Sequence, residues 1–395
     1  MATRYDAIVV GLGAMGSASI YRLAKSGLKV LGIDQFSPPH ALGSTHGIAR
    51  VMRQAIGEGA HYSPLAMRSY ELFREMETIS GRRLLSVTGM LTITKIDTSV
   101  IESEPYFFDN TIAAAREHNI KHDLLDAQEM RRRFPQFKVE DDERGYFEYE
   151  AGYLLPEVIV RLQLLLAKQY GAFIHTDEAM AGYSDAGDGV TVSTDQGTYL
   201  ADNLILATGA WLPQQVDSEI ACRLKVYRQT QCWFDISSHF GDFVPPKFPI
   251  FFKQMTGYDR WIYGFPALDG PSDGLLVSAP DSPDPVTPDL VNRNVENDQI
   301  ESVYREYVAT SLNNVPNKTV RSATCLITVS PDTEFILDRH PQSEKVIICS
   351  PCSGHGFKHS AAIGEAIAQV LTTGSTKIDM SAFKLNRFQK ASSGS

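Results

Sequence analysis

Residues 5–34 run as strand, glycine turn, helix, strand and acid, and no other stretch restricts the fold of this chain as strongly. Residues 5–10 are apolar with β-branched character, and the turn is Gly11-Leu12-Gly13-Ala14-Met15-Gly16. Residues 18–25 favour a helix that stops by Gly27, and residues 29–33 are a second apolar run closed by Asp34. Each part of this dinucleotide-binding fingerprint has a mechanical reason. Gly11 permits the tight turn, Gly13 lets the backbone approach a pyrophosphate, and Gly16 lets the helix pack against the strand. The helix N-terminus then offers unpaired N–H groups to phosphate. Asp34 is placed to accept a hydrogen bond from a ribose hydroxyl. A glycine triplet alone says little; here strand, helix and acid all stand at the required offsets.

A chain of 395 residues is long enough for two domains, since single cores stop growing beyond roughly 250–300 residues. Its hydrophobic fraction of 43% supplies a full-size core. A net charge of −10 argues against nucleic acid or an anionic membrane as the main partner. The first residues lead straight into a core strand, and no apolar run of roughly 18 residues occurs. A soluble, cytoplasmic protein is therefore expected. Five cysteines are too sparse for a disulfide framework. Cys349 and Cys352 have CxxC spacing, but no second pair completes a zinc site, and no metal is expected.

Residues 37–59 read as a long loop rich in Gly, Pro, His and Ser, holding Gly43-Ser44-Thr45-His46-Gly47, then Arg50 and Arg53, then Gly57-Glu58-Gly59. Small residues let such a loop lie against a planar ligand, and two arginines three apart can project from one short helical turn. Apolar spacing predicts helices over 62–77, 111–118 and 156–170, and strands over 85–94, 172–176, 190–193 and 198–201. Arg131, Arg132 and Arg133 read as a solvated helix end. The strand at 204–206 runs into Ala207-Thr208-Gly209-Ala210, as a second close approach of backbone to a dinucleotide requires. Short strands over 227–234, 249–253, 260–263 and 275–278, a Pro- and Asp-rich loop at 280–288 and a helix near 298–311 point to an antiparallel sheet in an inserted domain. The α/β pattern returns with strands at 325–329, 335–338 and 346–349, the turn Ser353-Gly354-His355-Gly356-Phe357-Lys358 and a helix over 361–371. That turn offers N–H groups to an electron-rich ring edge, and Lys358 adds positive charge. Residues 390–395 read as a disordered tail.

Taken in order, these residues resemble the monomeric sarcosine oxidase and N-methyltryptophan oxidase family of flavoenzymes over nearly the whole chain. The resemblance rests on the fingerprint, on Pro38-Pro39-His40 leading into the 43–47 stretch, on Arg50 and Arg53, and on Gly57-Glu58-Gly59 with Tyr62. It rests further on Ala207-Thr208-Gly209-Ala210-Trp211, Tyr263-Gly264-Phe265-Pro266, Cys325 followed by Ser330-Pro331-Asp332, and the 353–358 turn. It implies an α/β fold with an α+β second domain. A Rossmann-like FAD-binding domain would be assembled from the discontinuous segments 1–85, 150–216 and 321–385, and an antiparallel-sheet substrate domain from 86–149 and 217–320. It implies FAD held by Gly11, Gly13, Gly16, Asp34, Ser44, Thr45, Arg50, Gly209, Gly354, His355, Gly356 and Lys358, and bonded covalently through its C8 methyl to the Cys325 thiol. Arg53 and Lys358 resemble the pair that clamps a substrate carboxylate, Arg50 the arginine close to the flavin ring, and Tyr263 one of two adjacent site tyrosines.

The implied reaction moves hydride to flavin N5 from the carbon beside a secondary amine nitrogen of an α-amino acid. The imine is then hydrolysed to aldehyde plus amine, and oxygen is reduced to hydrogen peroxide. A monomer acting on a small amino-acid-like substrate is expected, with no nucleic-acid or membrane partner. The chain departs from the family pattern at three places. Leu276 stands where the family has a lysine that promotes reaction with oxygen, Pro280 near a pocket histidine, and Ile262 at the second tyrosine. Lys253, on a neighbouring strand, is the candidate replacement for the lysine. Without a replacement, a dehydrogenase on the same scaffold with another electron acceptor is the alternative; a flavin-binding protein without turnover is the third reading.

Overall fold

Strand β1 (Arg4–Val10) is the axis of the first of two large sheets. From Ala7 onward it is buried on both faces, which is why it reads as a continuous apolar run. The computed structural model describes residues 3–95, 107–185, 187–255, 260–268, 270–280 and 283–388; the tail at 390–395 lies outside these residues. Helix α1 (Ala14–Lys25) follows the glycine turn, and β2 (Val30–Ile33) pairs parallel to β1. A Cβ at Gly16 would lie 1.6 Å from the Gly11 carbonyl oxygen, so only glycine lets the helix start this close to the turn. Thr198–Leu206 pairs parallel with the other side of β1, and Ser343–Ser350 continues beyond it. Phe173–His175 extends the sheet past β2. The helices Pro156–Gln169 and Ser360–Thr373 cover α1, and Gly364 brings the second of them so near that a Cβ would fall 2.5 Å from the Ala18 backbone.

The second sheet runs in the order Thr319–Val329, Lys225–Phe234, Leu275–Ser278, Trp261–Gly264, Ile250–Gln254, Met90–Lys95, Glu143–Glu148 and His122–Leu125. It is antiparallel except between Ile250–Gln254 and Met90–Lys95, which pair parallel, so the sheet is mixed. Leu275, Val277 and Phe251 point to one face, into an aromatic core with Phe137 and Phe248. Leu276, Phe252 and Tyr263 point to the opposite face, as the two-residue strand period requires. A small sheet of Arg50–Met52, Gly152–Leu154 and Leu85–Val87 lies against this second face.

Several expectations are corrected. Arg50 begins a strand, with Arg53 just past its end, because pairing with Gly152–Leu154 takes up the backbone groups that a helical turn would use. The stretch 85–94 breaks at Gly89 into two strands in different sheets. Strand Met180–Asp185 was not expected; it is largely exposed, so it carries no apolar alternation. Thr319–Val329 belongs to the second sheet, so residues 321–329, assigned to the cofactor domain on sequence grounds, pair with the other one. The helix expected near 298–311 is present over residues 297–311, with a π-helical turn at Tyr304–Val308 between Asn297–Val303 and Ala309–Ser311. Among the described residues, no helix is long and apolar enough to cross a membrane.

Candidate active site

A cavity of about 700 Å³ is lined on one side by the glycine turn after β1, Asp34 after β2 and the Thr208-Gly209 turn, and on the other by Phe252 and Tyr263 of the second sheet. Its place at the carboxyl ends of parallel strands is where open α/β sheets bind ligands. Asp34 accepts hydrogen bonds from the Leu12 N–H at 2.6 Å and the Phe36 N–H at 2.8 Å. Burial raises its pKa and these two bonds only partly offset that. The carboxylate thus ties the glycine turn to the following loop, and its remaining lone pairs can serve a hydroxyl ligand. Arg50 folds back on its own loop, donating to Ser44 O at 2.8 Å and Ala49 O at 2.7 Å. Beside it His46 is buried, and burial, with Arg50 adding to it, pushes its pKa down to about 4, leaving the ring neutral.

The charged end of the cavity gathers Arg53, Glu58, Lys358 and His355. Arg53 donates to Glu58 Oε2 at 2.5 Å and to Ala55 O at 2.9 Å, and its guanidinium carbon lies 4.9 Å from the centre of the Phe107 ring. Lys358 donates to His355 O at 2.7 Å. Burial pushes Lys358 down to about 7 although Glu58 opposes it. Burial would push Glu58 up, yet Arg53, His355 and Lys358 together hold it well below the usual carboxylate range. One carboxylate against two cations leaves room for one more anion, which a ligand can supply. Facing this end, Phe252, Trp261 and Tyr263 stack in a row, with centroids 6.1 and 5.7 Å apart.

Of the expected site residues, Gly11, Gly13, Asp34, Ser44, Thr45, Arg50, Arg53, Gly209, Tyr263, Cys325, Gly354, His355, Gly356 and Lys358 all line this cavity. Gly16 stands one helical step behind it and acts through packing. Lys253 is the correction. It lies on the other face of the second sheet, buried in an ion pair with Glu143 at 2.9 Å and donating to Lys138 O at 2.6 Å. Strand alternation puts Phe252, not Lys253, at the cavity. Cys325 is buried in the cavity wall on Thr319–Val329 and forms no disulfide. Cys349 and Cys352 line the cavity too, likewise without a disulfide; burial pushes the Cys349 thiol up to about 12 and also raises Cys352, so neither is a thiolate. The sequence reading gave no role to Glu58, Phe107, Phe252 or Trp261. Trp261 and Tyr263 stand two apart on one strand and so share a face, which was a usable signal.

The family described as DAO, FAD dependent oxidoreductase, matches residues 6–370. The chain belongs to this family of FAD-dependent oxidoreductases. Within it the chain groups with monomeric sarcosine oxidases and N-methyl-L-tryptophan oxidases. It is 34% identical to monomeric sarcosine oxidase of Streptomyces avermitilis over 99% of this chain and 100% of that protein. It is 35% identical to monomeric sarcosine oxidase of Bacillus sp. (strain B-0618), over 98% and 97%, and 29% identical to N-methyl-L-tryptophan oxidase of Citrobacter koseri, over 98% and 99%. Two solved structures share the fold. NikD, an unusual amino acid oxidase essential for nikkomycin biosynthesis, gives a TM-score of 0.81 at 23% identity over 96% of this chain and 97% of that one. L-proline dehydrogenase from P. horikoshii gives 0.81 at 19% over 99% of both.

The FAD of this family fits the residues present. No side chain caps the N-terminus of α1 and no acid stands in its first turn, so that end is open to phosphate. Thr208 Oγ1, on the cavity wall, is buried without a hydrogen-bond partner among the described residues. The mixed apolar and polar wall and the volume suit a large, partly planar ligand. Asp34 would take the ribose, the α1 N-terminus the pyrophosphate, and Arg50 with the 353–358 turn the ring system.

Proposed function

We propose that this protein oxidises the C–N bond of a secondary, N-alkyl α-amino acid, the imine then being hydrolysed to an aldehyde and a shorter amine. The observation that carries this reading is the pair of buried cations, Arg53 and Lys358, at a cavity end walled by aromatic rings. Guanidinium plus ammonium suits a substrate carboxylate. The relatives support the substrate class, being named for N-methyl amino acids. FAD, when bound, would supply the two-electron acceptor for the hydride on the carbon beside the amine nitrogen. The rest falls to the chain. Arg50, Arg53 and Lys358 disfavour the ammonium form of the amine, which must be neutral to release hydride. Phe107, Phe252 and Trp261 keep water from the reacting carbon. Arg50 places positive charge where negative charge grows during transfer. Cys325 is the thiol we assign to covalent attachment, and a monomer is the working form.

In the leading reading oxygen is the final acceptor and hydrogen peroxide the product. A dehydrogenase using another acceptor is the second reading, favoured by one observation. Leu276 lies on the cavity-facing side of its strand, packed with Met90, Trp233 and Phe265, while Lys253 is turned away. The test is anaerobic mixing with sarcosine and with N-methyl aromatic, cyclic and sugar-derived amino acids, followed by air. Bleaching with fast recolouring and peroxide supports the oxidase. Bleaching that persists in air supports the dehydrogenase. If no compound bleaches the flavin, the substrate class is wrong.

A further inference from the structure

Behind the charged end of the cavity lies a second buried carboxylate, Glu148. It ends the strand Glu143–Glu148 of the second sheet, opposite Met90 of the cavity wall. Strand alternation sends Phe147 into the aromatic core and turns Tyr146 and Glu148 to the other face. There Glu148 meets the two residues that follow Arg53. Its Oε1 accepts from the Gln54 N–H at 2.7 Å, and its Oε2 from the Ala55 N–H at 3.3 Å and the Tyr146 hydroxyl at 3.1 Å. The carbonyl of the same Ala55 accepts the 2.9 Å bond from Arg53 Nη1. Hydrogen bonds therefore join Glu148 to Ala55 and Ala55 to the guanidinium, without a gap.

We propose that Glu148 is a positioning residue: it fixes the backbone after Arg53, so that the guanidinium stands ready at the substrate end of the cavity for a carboxylate. The inference rests on the amine-oxidising reading, which supplies that carboxylate. Arg53 lies just past the strand Arg50–Met52, where the ladder to Gly152–Leu154 no longer holds the chain. Glu148 takes over from the ladder at the next two N–H groups. An arginine side chain has many rotamers, and selecting one of them on ligand binding costs affinity. Here the selection is made within the fold. Glu148 holds the backbone, Ala55 O and Glu58 hold the guanidinium, and the Phe107 ring covers it.

The choice of side chain fits this role. Three donors converge on Glu148, and an ionised carboxylate offers two oxygens that only accept. Glutamine would keep one acceptor and turn an NH2 group toward another donor. An apolar residue would pack with Phe108 and Ile112 and avoid the desolvation of a carboxylate, but it would leave the Gln54 and Ala55 N–H groups without this partner. Burial raises the Glu148 pKa, against the Gln54 bond, the charge on Arg53 and the bonds from Ala55 and Tyr146. Glu148 differs from Glu58, which touches the guanidinium and lines the cavity; Glu148 acts through the loop.

The test titrates the holoenzyme with acetate, a carboxylate that carries no amine, by its effect on the flavin spectrum, and measures KM and kcat with the amino acid that bleaches the flavin. Glu148→Gln should weaken acetate binding and raise KM roughly tenfold each, with kcat kept within about twofold, because the anchor holds substrate and transition state alike. In an Arg53→Met background the same change should alter neither acetate affinity nor KM further, since the side chain it positions is gone. A merely structural role would not vanish with Arg53. Thermal melting and flavin content report whether Glu148→Gln folds. If it does not, Tyr146→Phe decides: it removes one donor from outside the loop, and a rise in KM of about two- to threefold, absent in the Arg53→Met background, is expected. Unchanged affinity and KM in the folded variant, or an equal loss with and without Arg53, overturns the positioning role and leaves the substrate reading standing. A wild-type flavin that no amino acid bleaches overturns the substrate reading, and the positioning role with it.

Discussion

Among the described residues Lys358 is held at the cavity wall by one hydrogen bond, to a backbone carbonyl, with its pKa pushed down to about 7 by burial. Below that pH it is a cation and above it a neutral amine, so the ligand-free protein loses anion affinity as pH rises past about 7. An anionic ligand raises the lysine's pKa in turn, which makes the fall gradual. Titrating a carboxylate ligand by its effect on the flavin spectrum should show this slope in wild type and none in Lys358→Met. The variant should bind the ligand roughly 10–100-fold more weakly, the loss of a charge-assisted hydrogen bond worth about 1.5–3 kcal/mol. Cys325 is the second residue whose chemistry can be read directly. If it carries the flavin, acid-precipitated wild type stays yellow in the pellet and Cys325→Ser releases its colour to the supernatant. Release of colour from the wild type as well would rule out the attachment.

The βαβ element at the N-terminus works through a contact that tolerates no side chain. A Cβ at Gly16 would stand 1.6 Å from the Gly11 carbonyl, so Gly16→Ala has to push α1 off the turn that faces the phosphates. The expected cost is about 1–3 kcal/mol of stability, as for other overpacked sites. Flavin retention suffers further, because the N–H groups move with the helix. The flavin-to-protein absorbance ratio after gel filtration should fall, and an unchanged ratio would mean the turn yields without disturbing the site. The second sheet teaches a related lesson about strands. Phe252 and Lys253 are neighbours in sequence, yet one faces the cavity and the other an aromatic core, because alternate strand residues point to opposite faces.

For the whole molecule, the position of Lys253 separates stability from function. Lys253→Met alone leaves Glu143 buried without its partner and should cost about 3–5 kcal/mol, whereas Lys253→Met with Glu143→Leu should be neutral or stabilising. Urea unfolding curves distinguish the two. The double variant should bleach with substrate and recolour in air at wild-type rates; slower recolouring would place Lys253 in the electron path despite its position. The two large sheets and the helices on the first one leave a cavity between them whose walls come from residues as far apart as Gly11 and Lys358. No single segment contains the site.

The local elements followed from the sequence where local physics governs them. The fingerprint, the helix over Pro156–Gln169 and the glycine turn at 353–358 are set by glycine stereochemistry and apolar period, both local properties, and the gathering of Arg53 and Lys358 followed from the family pattern. Tertiary structure alone decided three matters. Pairing with Gly152–Leu154 made the Arg50 segment a strand, because a partner's free N–H and C=O groups outweigh local preference. Register sent Lys253 away from the cavity toward Glu143, since a side chain's face depends on which neighbours its strand joins. Folding also put Glu58 between Arg53 and Lys358, and His355 against Tyr62. The charges at the substrate end are fixed by such contacts across the fold, because burial and partners set each protonation state.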